Sequence, residues 1–326
     1  MQYDATIIVP VYNGEKTLNK FLNSLEKQQT IYKYLIVLID DGSKDKSIEI
    51  IKQYQNIHNN ILLVKEKNAK QAVARNNGLN YVSGRYVFFL DCDDFIEKNM
   101  LQEMISKMDQ GYDLVICGII KHFYNKVVSE CHTILTGKRN QQSLIYDYLT
   151  KNKEMDVGLW NKAFRTAYIK KYKLTFSNKN FFEDSLFVLE YIMLCDPKKI
   201  SSISTPLYHL IKHNGTTTTT FNKDIDILSI IYMEKVTNIL HKKNIVGNMV
   251  LFNAFKIRTI LYGVNHHIKY DKNWTQTKQK RLLSSIKIVN YIKSALRLPL
   301  RYKMGSLMAR FMPIVYLKLY VRRTKN

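Results

Sequence analysis

Residues 84–94 read Gly-Arg-Tyr-Val-Phe-Phe-Leu-Asp-Cys-Asp-Asp, an apolar run that stops abruptly in acid. The run 85–90 shows no polar–apolar alternation, so it suits a strand buried on both faces. Such strands belong to parallel sheets covered on either side by helices. Asp91, Asp93 and Asp94 then fall at the strand's carboxyl end, where an open α/β sheet binds its ligands. Working outward, the same punctuation recurs. The apolar run 5–10 ends in Pro10, Val11, Tyr12, Asn13 and Gly14, and the run 34–40 ends in Asp40, Asp41, Gly42 and Ser43. Residues 61–65 and 113–117 read as further strands. Between them, 17–28 sets Leu18, Phe21, Leu22 and Leu25 on one helical face. Residues 47–54, with Asp45 as a candidate cap, 69–81 and 97–108 also read as helices. Alternation of this kind predicts an α/β fold, a mostly parallel sheet with flanking helices.

Composition narrows the class. The chain has 326 residues, 46% hydrophobic and 24% charged, with 12 Gly and 5 Pro, which excludes disorder and collagen-like repeats. At about 150 residues per domain, it holds two domains or one large domain with an appendage. Cys92, Cys117, Cys131 and Cys195 do not have zinc-finger spacing. The first residues carry no basic, apolar leader, and no run approaches the ~18 apolar residues that a membrane span requires. The expected location is the cytoplasm, with reduced thiols. The net charge of +23 is uneven: residues 222–326 hold 21 Lys or Arg against four acids, with no acid after Asp271. Such a tail calls for an anionic partner.

The strand ends exclude some chemistry. No glycine fingerprint follows the first strand and no phosphate-loop lysine is present, which argues against nicotinamide, flavin and ordinary ATP hydrolysis. A sugar-nucleotide pyrophosphorylase would need a Gly-rich, basic loop there, which is also absent. Neighbouring carboxylates such as Asp91, Asp93 and Asp94 stay ionised cheaply when a cation joins them, and hard oxygen donors suit Mg2+ or Mn2+. Taken alone, each acidic cluster has a plainer reading, as a solvated turn capping the next helix through Asp45, Asp94 or Glu97.

Six segments in order change the balance: 7–13 (Ile-Ile-Val-Pro-Val-Tyr-Asn), 39–45 (Ile-Asp-Asp-Gly-Ser-Lys-Asp), 74–78 (Ala-Arg-Asn-Asn-Gly), 84–94, 159–164 (Leu-Trp-Asn-Lys-Ala-Phe) and 182–187 (Phe-Glu-Asp-Ser-Leu-Phe). Together, over about residues 1–220, they resemble the inverting nucleotide-sugar glycosyltransferases of family two, with the GT-A fold. The resemblance implies a UDP-sugar donor, Mn2+ or Mg2+, and an acceptor hydroxyl. It implies that Pro10 and Tyr12 line the uracil pocket, that Asp41 accepts the uracil N3 hydrogen with Asp40 supporting its loop, and that Arg75 reaches the base or phosphates. Asp91 would approach the ribose or sugar. Asp93 would be the leading metal ligand of the Asp-x-Asp motif, joined by Asp91. Asp184 would be the general base and Glu183 would orient the acceptor, although both also suit a cap on the helix 185–194. Trp160, Asn161 and Lys162 would wall the donor and acceptor site, with plain core as the other reading of Trp160. Relatives carry Tyr-x-Tyr-Arg near 206–216, and Ile211 stands here in place of that arginine. His209, Lys212 or His213 would then supply the missing diphosphate contact or metal ligand, beside a closing loop at 216–220.

The remainder, 221–326, reads as a basic helical region. Residues 279–298 place Leu282, Ile286, Val289, Ile292 and Leu296 on one face among lysines and arginines, and 302–321 repeats the mixture. The pattern fits a helix lying on an anionic membrane surface, or a homo-oligomer contact with a basic rim. Nucleic acid is disfavoured, since no recognition fold accompanies the charge. The function expected is transfer of a sugar from UDP-sugar to a glycan or lipid-linked acceptor, by a protein peripheral at the inner face of the cell membrane. The alternative is a non-catalytic glycan- or polyanion-binding protein on the same fold.

Overall fold

The computed structural model describes residues 2–177, 181–212, 220–242, 249–271 and 273–325. They form two compact units, one of residues 1–145 with 152–213 and one of 146–151 with 214–326. His213 and residues 216–219 of the expected loop lie outside the described residues.

The first unit runs β1 (Ala5–Val11), α1 (Leu18–Glu26), β2 (Tyr34–Asp40), α2 (Ser47–Gln55), β3 (Ile61–Lys65), α3 (Gln71–Leu79), β4 (Tyr86–Phe89), β5 (Phe95–Ile96), α4 (Met100–Asp109), β6 (Leu114–His122) and β7 (Val127–Glu130). After α5 (Gln141–Lys151), whose end belongs to the second unit, come α6 (Glu154–Val157), β8 (Lys162–Arg165), α7 (Thr166–Lys171), α8 (Glu183–Ile192) and β9 (Ile200–Ile211). Among the described residues, the sheet has the order β3-β2-β1-β4-β8-β6-β9-β5, and β7 pairs antiparallel with the end of β6 off this path.

The expected parallel arrangement spans β3-β2-β1-β4, where Ile7 lies opposite both Ile36 and Phe88. Beyond β4 the sheet is mixed: β8 is antiparallel to β4 and β6, while β9 is parallel to β6. Parallel strands need long crossovers, and placing antiparallel β8 beside β4 ends that half of the sheet. Ile7, Ile8, Val37, Leu38, Phe88 and Phe89 are buried, as unbroken apolar runs require. Helix α3 lies so close to β1 that a Cβ on Gly78 would meet Ile8 Cγ2 at 2.5 Å.

The second unit holds the end of α5 and α9 (Ile225–Lys242), α10 (Met249–Tyr270), α11 (Gln276–Leu283), α12 (Ile288–Ala295), α13 (Leu300–Phe311) and α14 (Pro313–Lys325). Ala254, Ile257, Leu261 and Val264 of α10 pack against Leu283, Ile286, Tyr291, Ala295, Leu298, Ala309 and Tyr316. The single helix expected at 279–298 is two helices, and so is the one at 302–321. Between α11 and α12, Arg310 caps the break by donating to the carbonyl of Ile286 at 2.8 Å. Pro313 starts α14, since it lacks the N–H that helix α13 would need to continue. No described helix is long and apolar enough to cross a membrane.

Candidate active site

Three strand ends meet in the first unit. After β1, Tyr12 is half exposed, and its neighbours are tied to the loop after β2. Asn13 N donates to Ser43 Oγ (3.0 Å), Lys44 N to Asn13 Oδ1 (2.8 Å) and Glu15 N to Asp45 Oδ2 (2.9 Å). Asp45 thus binds two loops together and also accepts from Ser47 N at 3.0 Å, while Lys46 occupies the cap position of α2. Asp40 and Asp41 are buried. Asp40 accepts from Ser43 N (3.3 Å). Asp41 accepts from Ala69 N (2.6 Å) and Lys70 N (3.0 Å) at the head of α3. The backbone is left-handed at Asn13 (φ 50°), Lys70 (φ 77°) and Phe182 (φ 65°), all beside these ends; strain of this kind collects at functional sites.

At the centre is Arg75 on α3, with no exposed surface. It donates through Nη2 to Asp91 Oδ1 and through Nη1 to Asp184 Oδ1, each at 2.8 Å. The Gln71 amide lies against the same guanidinium one helical turn earlier, and Phe176 lies 5.6 Å from it. A buried guanidinium is tolerable only when paired in this way. Burial alone would lower the Arg75 pKa, but the charges of Asp184 and Asp91 outweigh it and raise it. Asp184 is pushed up to about 7 by burial, against the pull of Arg75 and with the help of Glu183 and Asp91. Glu183 is raised by burial too. Neither caps α8 through its side chain: the cap residue is Phe182, and Asp184 projects instead to Arg75.

Asp94 is not a helix cap either, and Asn99 occupies that position before α4. Buried Asp94 accepts from Tyr208 Oη (2.6 Å) and Ile211 N (2.7 Å), pinning the turn after β4 to β9. Burial, then the charges of Asp93 and Asp91, raises it well above the usual carboxylate range. Asp91, Asp93 and Asp94 offer oxygens within 4.8 Å of one another, and among the described residues no other cluster of three or more His, Cys, Asp or Glu side chains lies so close together. Oxygen-only donors of this charge fit Mg2+ or Mn2+. Asp94 is buried, whereas Asp91 and Asp93 are half-buried, so an ion from solvent could reach these two.

Several expected contacts fall elsewhere. Arg75, expected at the base or phosphates, is buried and paired with two carboxylates. His209 is not a ligand of the aspartate group, because its ring nitrogens meet His122 Nε2 (2.9 Å) and Glu97 Oε1 (2.8 Å) and its ring stacks on Phe95. Trp160 is buried and stacked on Tyr208. Asn161 and Lys162 are buried braces. Asn161 donates to the carbonyls of Cys117 and Met155, and the Lys162 ammonium donates to those of Met155 and Gly158 and to Asn161 Oδ1. Lys212 pairs with Glu154. Sequence reasoning gave Tyr208 no role, and its only signal was its place within the stretch 206–216.

Residues 6–173 match the family described as Glycosyl transferase family 2. The minor teichoic acid biosynthesis protein GgaA of Bacillus subtilis (strain 168) is 26% identical over 300 residues, 88% of this chain and 66% of that protein. The poly(ribitol-phosphate) beta-N-acetylglucosaminyltransferase TarS of Staphylococcus aureus (strain Mu50) is 26% identical over 216 residues, 63% of this chain and 35% of that protein. A crystal structure of S. aureus TarS 1-349 in complex with UDP-GlcNAc overlays with a TM-score of 0.62 at 21% identity, covering 99% of this chain and 91% of that one. The mannosyltransferase PcManGT from Pyrobaculum calidifontis, in complex with GDP-Man and Mn2+, overlays at 0.54 with 15% identity, covering 99% and 87%. This chain spans less than two thirds of the length of the curated relatives it matches first. The first unit has the GT-A fold of these neighbours. With the family match covering more than half of its length, the chain belongs to glycosyltransferase family 2.

Proposed function

We propose that the chain is an inverting glycosyltransferase moving a hexosyl or N-acetylhexosaminyl group from a UDP-sugar to a hydroxyl of a cell-surface glycan precursor, such as a teichoic acid or capsule intermediate. The observation that carries the reading is Arg75, buried and joining Asp91 at the end of β4 to Asp184 at the head of α8. It holds a donor-side carboxylate and a candidate base in one fixed frame. Asp184 takes the acceptor proton while the acceptor oxygen attacks the anomeric carbon opposite the departing UDP. Glu183 orients the acceptor. The exposed ring of Tyr12 and the edge of Pro10 offer the uracil a stacking surface. Asp41, whose oxygens each retain a lone pair, accepts the uracil N3 hydrogen. Mn2+ or Mg2+, held by Asp93 and Asp91, would supply the Lewis acid that offsets charge on the diphosphate. The complexes of TarS with UDP-GlcNAc and of PcManGT with Mn2+ support the donor and the metal, and GgaA and TarS support the acceptor class.

The reading places the protein at the inner face of the cell membrane, where such precursors are assembled. Isothermal titration of UDP with and without Mn2+ tests it, and no binding in either condition ends it. A screen of UDP-glucose, UDP-galactose and their N-acetyl forms, read by UDP release, then identifies the sugar.

A further inference from the structure

Helices α12, α13 and α14 each bury one side and turn a different one outward. On α12, Tyr291, Ser294 and Ala295 are buried, while Val289 (64% exposed), Ile292 and Leu296 lie outside within one arc of about 60°. On α13, Ser306 and Ala309 are buried, while Leu300 (73% exposed), Met304 and Phe311 fall in one narrow outward strip. On α14, Tyr316 points to the core, and Ile314 and Leu319 stand outward beside exposed Lys318 and Arg322. Exposed apolar side chains scattered singly need no explanation; two successive helices that each present a strip of them, followed by one whose outward side mixes them with Lys318 and Arg322, do.

We propose that the outward apolar strips of α12 and α13, with the cations of α14, seat on an anionic phospholipid bilayer. The proposal extends the transferase reading, on which it rests for a membrane-borne acceptor. Charge selects the occupant. Fourteen Lys or Arg and no acid follow Asp271, and Lys293 and Arg297 of this set are exposed along one edge of the outward strip of α12. Apolar side chains entering the acyl boundary with basic ones at the headgroups is the arrangement of an interfacial helix. A second copy of the chain would bring an equally basic, acid-free face, and the two would repel. Nucleic acid would satisfy the charge but leave the apolar strips in water.

The test is flotation of the full chain with vesicles of phosphatidylglycerol and phosphatidylcholine, against phosphatidylcholine alone, at low and high salt. Binding is expected only with phosphatidylglycerol, weakened by salt. The triple variant Val289→Ser, Ile292→Ser, Leu296→Ser touches no buried position, so circular dichroism and Tm should be unchanged. Its partitioning should fall about tenfold or more. The variant Lys293→Gln, Arg297→Gln, Lys318→Gln should lose salt sensitivity along with affinity. Absence of binding to phosphatidylglycerol vesicles at low salt overturns the proposal, as does a triple variant that floats like the parent. A dimer whose mass halves in the triple variant also overturns it, in favour of a second copy. UDP titration on the same samples separates the two readings: UDP binding without flotation sinks only the surface, and flotation without UDP binding sinks only the transferase.

Discussion

Asp184 and Arg75 set the first predictions. A base must be ionised to accept a proton, and burial holds the Asp184 carboxyl up at about 7. Below that pH the protonated fraction grows, so kcat/KM should fall by about tenfold per pH unit. Asp184→Asn should keep UDP affinity within a few-fold and lower turnover by ~10²–10⁴. Turnover that survives points to Glu183. Arg75 opposes the rise of Asp184, so Arg75→Met should move the acidic limb to higher pH; an unmoved limb would show that another group titrates. That Arg75 matters was legible in Ala-Arg-Asn-Asn-Gly, but its task was not. Its partners lie 16 and 109 residues away, and only the topology brings β4 and α8 to one guanidinium. The same limit applies to His209, whose ring nitrogens are taken by residues 87 and 112 positions distant.

Among the elements, β1 to β4 could be read directly, because buried parallel strands are continuous apolar runs and their ends carry the acids. Strand β9 could not. It contains Pro206, which argues against a strand with neighbours on both sides. The structure admits the proline at a register shift opposite Gly118, where a Cβ would come within 3.0 Å of Pro206 Cα. This irregular strand delivers Tyr208 and the Ile211 N–H to Asp94, so it shapes the turn that carries Asp91 and Asp93. Tyr208→Phe leaves a buried carboxylate oxygen without its donor. The expected loss is about 1–3 kcal/mol in thermal or denaturant unfolding. UDP affinity in the presence of Mn2+ should weaken more than affinity in its absence, since the loosened turn bears Asp91 and Asp93, the proposed metal ligands. Equal weakening in the two conditions would make Tyr208 a purely structural support.

At the scale of the whole molecule, composition showed where the charge lies but not what the basic region does with its apolar residues. Read as one helix, 279–298 sets Leu282, Ile286, Val289, Ile292 and Leu296 on a single face. The break between α11 and α12 divides that face, so that Ile286 is buried while Val289, Ile292 and Leu296 are outside. The same residues therefore cannot all be surface, and removing the region is no neutral truncation. Residues 279–326 supply seven of the eleven buried side chains in the core built on α10. At about 2–5 kcal/mol for each large buried side chain lost, their removal exceeds the ~5–15 kcal/mol that stabilises a whole domain. A chain ending at residue 278 should lose the cooperative unfolding of the second unit in calorimetry. Its helix signal should fall by more than the share of α11–α14, because α10 would expose Ile257, Leu261 and Val264 to water. The first unit draws its sheet core from its own strands, so UDP should still raise the Tm of what remains. Were the truncated chain to keep the ellipticity of α9 and α10 and a sharp second transition, the core on α10 would have to be held by other contacts.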